Sequence, residues 1–342
     1  MGSETLVVSA AWVCVKGALE YLPLLQVVLG RAVQGEALLT GQGLLLAGVS
    51  EPERERLAFY AGNGRDGEVQ SADGVVAARI FGDPSLPASQ SGLAEAVATA
   101  HDIMALYGVK TARDVQARTG SMAVRGAARV RAAASGPTRL RYAAAAGDVA
   151  VIARREPYAR FFSVEEYDLR HRRFDGATSP LVTRAAFISG DAVTVLPYDP
   201  ERDRVLVVEQ FRAGPFARGD AHPWQIEAIA GRIDPGETPQ DAARREATEE
   251  AGLTLDALLD VAQYYPSPGI CAEYLYSYVA VTHLADDAEG FFGVEGEAED
   301  IRAHLMSFDD LMALVASGEV ANAPLILTAF WLAARRHSLR GA

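Results

Sequence analysis

Gly231 to Leu253 reads GRIDPGETPQDAARREATEEAGL, and the organisation of the whole chain follows from it. Gly231, Glu237, Arg245, Glu246, Glu249, Glu250, Gly252 and Leu253 fall in the order G-x5-E-x7-R-E-U-x-E-E-x-G-U, with Ala247 at the first apolar position U. Thr238 is a good helix N-cap, Pro239 fits the first helical position, and Asp241 can answer the cap as a glutamate does in a capping box. Gly252 suits the left-handed residue that ends a helix. On the helix so predicted, Glu246, Glu249 and Glu250 stand at i, i+3 and i+4 and share one face. Ala243, Ala247 and Ala251 fall on another face, small enough to press closely against a sheet. Such charge ordinarily means a solvated acidic face, but like charges at these spacings repel, and nothing basic lies four residues further on. A divalent cation would relieve them, and hard carboxylate oxygens favour magnesium or manganese.

The chain has 342 residues, which predicts two domains, each with its own core. It is 49% hydrophobic and 23% charged, as soluble globular proteins are. A formal net charge of -13 without any basic run argues against a nucleic-acid surface. Lys16 and Lys110 are the only lysines, so nearly all positive charge is arginine. The two cysteines, Cys14 and Cys271, form no disulfide framework or zinc spacing and fit a reducing cytoplasm. Residues 5–29 are apolar, but Lys16 and Glu20 interrupt them, so no membrane span and no signal peptide is predicted.

Residues 1–115 alternate short apolar runs with glycine-rich turns, with strands predicted at Leu6–Val15 and Ala37–Leu46. A helix is predicted from Leu93 to Tyr107, closing on Gly108. Residues 116–147 belong to an Ala/Arg-rich stretch read as a solvated connecting helix and linker, broken at Gly136-Pro137. From 148 to 342 the pattern changes. VAVIARR, FFSVEEYDLRHRRF, AVTVLPY and RVLVVEQ read as strands, as does Tyr274–Val281. Ser307 caps one helix and Pro324 opens a last one. The expectation is an α/β fold, an α/β/α sandwich preceded by a small α/β domain and a helical linker.

The pattern in 231–253 is identified as a Nudix box, the signature of metal-dependent hydrolases of nucleoside diphosphates linked to another group. FFSVEEYDLRHRRFDG, AVTVLPYDPERDRVLVVEQFRAG, PWQIEAIAGRIDPGE and YYPSPGICAEYLY resemble the ADP-ribose pyrophosphatase branch of that family over about residues 150–338. Pro268, 15 residues after Leu253, matches a proline that marks the branch, although Pro266 stands beside it. The resemblance implies that the Ala230 carbonyl, Glu246 and Glu250 bind metal, with Glu249 binding it directly or through water. In the second acidic cluster, GVEGEAEDIRAHL, it implies that Glu297 is the base for the attacking water and Glu299 a further metal ligand. Glu297, Glu249 and Arg245 make up the expected catalytic group, Arg245 bracing the box loop with Glu237. Arg212 in EQFR and Arg184 in VTRAAF would hold the substrate, Arg184 from a partner subunit, because a guanidinium pairs with phosphate oxygens bidentately. Phe161 or Phe162 would stack on adenine or else belong to a core strand.

The reaction implied is magnesium-dependent hydrolysis of ADP-ribose to AMP and ribose 5-phosphate by a cytoplasmic homodimer. The alternatives are another nucleoside diphosphate sugar, such as GDP-mannose, or a module that senses ADP-ribose without turnover. Residues 12–22 (WVCVKGALEYL) and 57–64 (LAFYAGNG) resemble the gamma-glutamylcyclotransferase-like fold. On that alignment Lys16-Gly17 replaces the family's tyrosine-glycine and Ala61 its catalytic glutamate, which implies a fold without the activity.

Overall fold

The structure, a computed structural model, describes residues 12–33, 37–72, 74–83, 90–134, 136–293 and 299–341. The chain divides into two compact units, Met1–Ala145 and Ala146–Ala342. Among the described residues no helix is long and apolar enough to cross a membrane.

The first unit runs β1 (Trp12–Gly17), α1 (Leu22–Leu29), β2 (Ala37–Thr40), β3 (Gly43–Ala47), α2 (Glu51–Ala61), β4 (Arg65–Ser71), β5 (Gly74–Asp83), α3 (Gln90–Met104), α4 (Ala112–Gln116) and α5 (Thr119–Ala132). Its sheet has the order β2-β3-β1-β5-β4, parallel only between β1 and β5. Period-two alternation splits the strands: Val13, Val15, Leu44 and Leu46 pack with Leu24, Leu25 and Val28 of α1, while Cys14, Leu45 and Ile80 form a smaller cluster.

Two expectations change here. The single strand Ala37–Leu46 is a hairpin, since Gly43 (φ 138°) turns the chain where a Cβ would strike the Val15 carbonyl. The Ala/Arg-rich helix is packed, not a solvated connector. Gly126 of α5 lies so near α3 that a Cβ would overlap the Thr99 hydroxyl, and Met122 and Ala127 are buried. Arg125 and Arg129 reach the buried Asp102 of α3 at 3.2 and 2.5 Å. Lys16 lies in β1 and Ala61 ends α2.

The second unit opens with a three-stranded antiparallel sheet of β6 (Val149–Ala159), β7 (Ser163–His171) and β8 (Val182–Ile188). There follow β9 (Ala192–Asp199), β10 (Arg204–Phe211), α6 (Ala213–Arg218), β11 (Trp224–Glu227), β12 (Ile229–Arg232) and α7 (Pro239–Ala251). The chain ends with β13 (Ala257–Tyr264), β14 (Leu275–Val281), β15 (Gly290–Phe292), β16 (Ile301–Ser307), α8 (Phe308–Ser317) and α9 (Ala323–Arg340). The large sheet has the order β13-β14-β9-β10-β16-β15, with β11 on β10 and β12 on β9, and only β9–β14 is parallel.

Alternation again makes the layers. Val193, Val195, Leu206, Val208 and Tyr278 meet Ala242, Ala243, Ala247 and Ala251 of α7. Leu196, Tyr198, Val205, Val207 and Val279 meet Phe308 and Leu311 of α8 and Leu325, Ala329 and Leu332 of α9. The unit is an α/β/α sandwich, as the sequence predicts.

Asp203, in the β9–β10 turn, clamps the second of these layers. It is the one non-glycine with positive φ (54°) among the described residues, a conformation that Asp and Asn tolerate best. Its carboxylate accepts from Tyr198 Oη at 2.8 Å, from Arg340 at 2.8 Å and from Arg336 through Nε at 2.8 Å and through Nη2. The Arg336 hydrogen bonds hold its pKa below the ordinary 3.8, so its stabilisation is present above that value and fades as pH falls through the lowered one. Asp203→Asn, which keeps the left-handed turn accessible, is expected to cost about 1–3 kcal/mol at neutral pH. In urea denaturation followed through Trp224 and Trp331, that difference should shrink below about pH 4. An equal difference at all pH values would contradict the clamp.

Candidate active site

The box helix forms for the reasons legible in its sequence. Thr238 Oγ1 accepts from Asp241 N at 3.1 Å, Pro239 is the first residue of α7, and Gly252 (φ 63°) ends it. The last turn closes with Gly252 N–H donating to Thr248 O and Leu253 N–H to Ala247 O, each at 3.0 Å.

Arg245 is the hub of the loop before it. Its Nε and Nη2 donate to the two oxygens of Glu237 at 2.9 and 3.0 Å, and Nη2 also reaches the Arg232 carbonyl at 2.9 Å. Glu237 in turn accepts from Asp234 N at 3.0 Å. Nη1 donates to Glu246 at 2.7 Å and Glu249 at 3.0 Å. The acidic face therefore has a basic partner inside the box. It stands before the glutamates, at i−1 and i−4, where a search four residues ahead does not look.

Glu246 and Glu250 point inward, 9% and 2% exposed. Glu250 Oε2 accepts from Ala230 N at 3.0 Å, which ties α7 to β12. Glu246 lies against Gly231, where any Cβ would overlap its carboxylate. Desolvation pushes the Glu246 pKa up to about 7 against the pull of Arg245, and pushes Glu250 to about 8 against the Ala230 N–H, with the charges of Glu246 and Glu299 adding to the rise. Among the described residues no three acidic, histidine or cysteine side chains converge into a closed ligand set, and Arg245 occupies Glu246 and Glu249. The donor chemistry nevertheless fits a hard divalent cation: two desolvated carboxylates whose pKa values stay raised despite Arg245 and the Ala230 N–H, with a third carboxylate close enough to perturb them.

Arg212, the N-cap residue of α6, is held by Glu227, to which Nε donates at 2.8 Å and Nη2 at 2.7 Å. Glu227 Oε1 accepts from Asn322 Nδ2 at 2.8 Å. The Arg212 side chain remains 40% exposed, and its charge acts on Glu250 and Glu273. Glu273 is a residue that the motif does not mark. Burial raises its pKa while Ser189, Arg232 and Arg212 lower it, so it belongs to the same electrostatic neighbourhood.

Phe161 is 72% exposed at the β6–β7 turn, which excludes the core-strand reading for it, and Arg232 stacks over its ring at 4.3 Å. Phe162 packs on Phe187 at 4.3 Å between centroids. Pro268 is exposed in the β13–β14 connection, where Ile270 N and Cys271 N donate back to Ser267 O at 3.1 and 2.9 Å. Arg184 is exposed on β8 and donates to its neighbour's carbonyl, Thr183 O, at 2.8 Å; no described contact joins it to α7. Glu297 and Glu295 lie outside the described residues.

Residues 189–328 match the NUDIX domain. An ADP-ribose pyrophosphatase of Escherichia coli is 39% identical over 194 residues, which are 56% of this chain and 91% of that protein. A GDP-mannose pyrophosphatase of Yersinia pestis is 30% identical over 167 residues, 49% of this chain and 82% of the relative. A solved structure described as an ADP compounds hydrolase aligns with a TM-score of 0.43 and 19% identity, covering 56% of this chain and 98% of that one. With the spaced glutamates on one helix, Glu246 and Glu250 of them buried, and a relative 39% identical and matched over 91% of its length, the chain belongs to the Nudix family.

Proposed function

We propose that the second unit hydrolyses ADP-ribose to AMP and ribose 5-phosphate with a divalent cation, magnesium before manganese. The observation that carries the reading is the pair of buried carboxylates, Glu246 and Glu250, held against β12 with Arg212 and Glu299 within electrostatic reach. The greater identity to ADP-ribose than to GDP-mannose pyrophosphatases, 39% against 30%, supports the choice of substrate.

In this reading the Ala230 carbonyl, Glu246, Glu250 and Glu299 hold the cation, with Glu249 binding directly or through water. Bound there, the cation would neutralise the diphosphate and acidify a water. Arg212, already oriented by Glu227, presents its exposed edge to the diphosphate and takes part of the developing charge. Arg245 fixes where the Glu246 and Glu249 carboxylates sit. Phe161, backed by Arg232, offers a stacking face for the adenine. Glu297 is assigned as the base on the strength of the family resemblance.

A homodimer through the three-stranded sheet completes the proposal, with Arg184 acting across the interface. Val149, Val151, Ile152 and Tyr158 of β6, with Leu181 beside β8, are exposed, as side chains destined for a partner are. The free Cys14 and Cys271 support a cytoplasmic location.

Turnover measured across a panel of nucleoside diphosphate sugars, with and without magnesium, should favour ADP-ribose and vanish on chelation. ADP-ribose that binds without magnesium-dependent turnover would instead identify a sensor. Glu250→Gln should keep the fold and lose about a hundredfold or more in kcat; near-normal turnover at saturating magnesium would remove Glu250 from the metal site. Gly231→Ala displaces the Glu246 carboxylate and is expected to lower turnover by about a hundredfold with Tm little changed. Unaltered kcat in that variant would show that the position of Glu246 is immaterial. Light scattering should report a dimer at micromolar protein, and a monomer would also dismiss Arg184 as a residue acting in trans.

A further inference from the structure

Gln210 continues the row of β10 side chains that faces α7. Leu206 and Val208 lie in the core beneath that helix, and alternation places Gln210 next in the same row. Its cross-strand partner on β16 is Ile301, a member of the same core, and Gln225 of β11 flanks it on the other side. Gln210 is 7% exposed, and its amide nitrogen, sheltered from solvent, donates to no acceptor among the described residues.

Buried donors are nearly always paired with protein, ligand or ordered water, because the unpaired state costs stability. An open donor therefore indicates what that wall of the site is built to receive. Arg212 lies two residues further along the strand and acts on Glu250. Glu299, two residues before Ile301, acts on both Glu246 and Glu250. In this orientation the open group of the amide is a donor, which suits an anionic oxygen. Being neutral, it adds a hydrogen bond to phosphate without cancelling the carboxylate charge beside it, as another arginine would.

We propose that the Gln210 amide N–H donates to a non-bridging oxygen of the bound diphosphate, between the Arg212 fork and the carboxylates of α7. This assignment rests on the hydrolase reading above. It makes Gln210 a substrate-binding residue alongside Arg212, and neutral where Arg212 is charged.

The test uses the full chain with magnesium and α,β-methylene ADP-ribose, an analogue that cannot be cleaved. Gln210→Met keeps the length of the side chain and removes the donor. Calorimetry is expected to show binding weakened by about 10- to 100-fold, while Tm stays level or rises because an unpaired buried donor has gone. In nitrogen-15 spectra, the side-chain amide signal missing from the variant should shift in the wild type when the analogue binds. Variant affinity within about twofold of wild type, with that signal unmoved, would overturn the proposal and leave the amide to an enclosed water. If Gln210→Met does not fold, Gln210→Glu identifies the signal, and its response in the wild type decides. Failure of the analogue to bind the wild type would sink the hydrolase reading and this inference together, whereas tight wild-type binding with an unaffected variant sinks the role of Gln210 alone.

Discussion

The second unit depends on one guanidinium. Arg245 joins the loop that leads into the box helix, through Glu237 and the Arg232 carbonyl, to the helix face itself, through Glu246 and Glu249. Without it the glutamates at i, i+3 and i+4 would repel one another and the loop would lose its fixed shape. A lysine could not replace it, because a planar fork of donors is needed to reach five acceptor oxygens on four residues at once. Structure and chemistry meet in this residue, since the interaction that closes the loop also sets the position of the carboxylates.

The sandwich carries that geometry outward. Four alanines let α7 approach the sheet closely enough for Ala230 N–H to reach Glu250, and Gly231 leaves the space that Glu246 fills. From the opposite layer, with Phe308, Leu325 and Leu332, Asn322 at the start of α9 reaches Glu227, which orients Arg212. The face that carries the candidate site is thus built from small residues and desolvated acids, and the opposite face from large apolar ones.

The box helix was legible to its terminal residues, because capping chemistry and the positions of its carboxylates are local properties of the sequence. The sandwich was legible too, since strands that alternate around a helix announce their two faces. What escaped reading depends on which strand lies beside which. Glu273 and Arg232 gain their meaning from the β9–β14 pairing and from the turn that brings Phe161 over Arg232. Gln210 gains its meaning only from the absence of an acceptor around it among the described residues. Phe161 looked like core because it precedes an alternating strand, yet the turn leaves it in solvent. The hairpin at Gly43 and the packing of α5 at Gly126 were hidden for a related reason: in each case a missing side chain permits the contact, and a missing group has no signature of its own.

The prevalence of arginine has a consequence for how the site responds to its surroundings. Both lysines, Lys16 and Lys110, precede residue 146, so the second unit has no amine side chain that could be acetylated or methylated. The cations described around the box helix, Arg212, Arg232 and Arg245, are all guanidinium groups, a type of side chain that is not deprotonated in proteins. The electrical balance of the site is therefore adjustable from one side only: the basic members are constants, and whatever tunes the site must act on its acids.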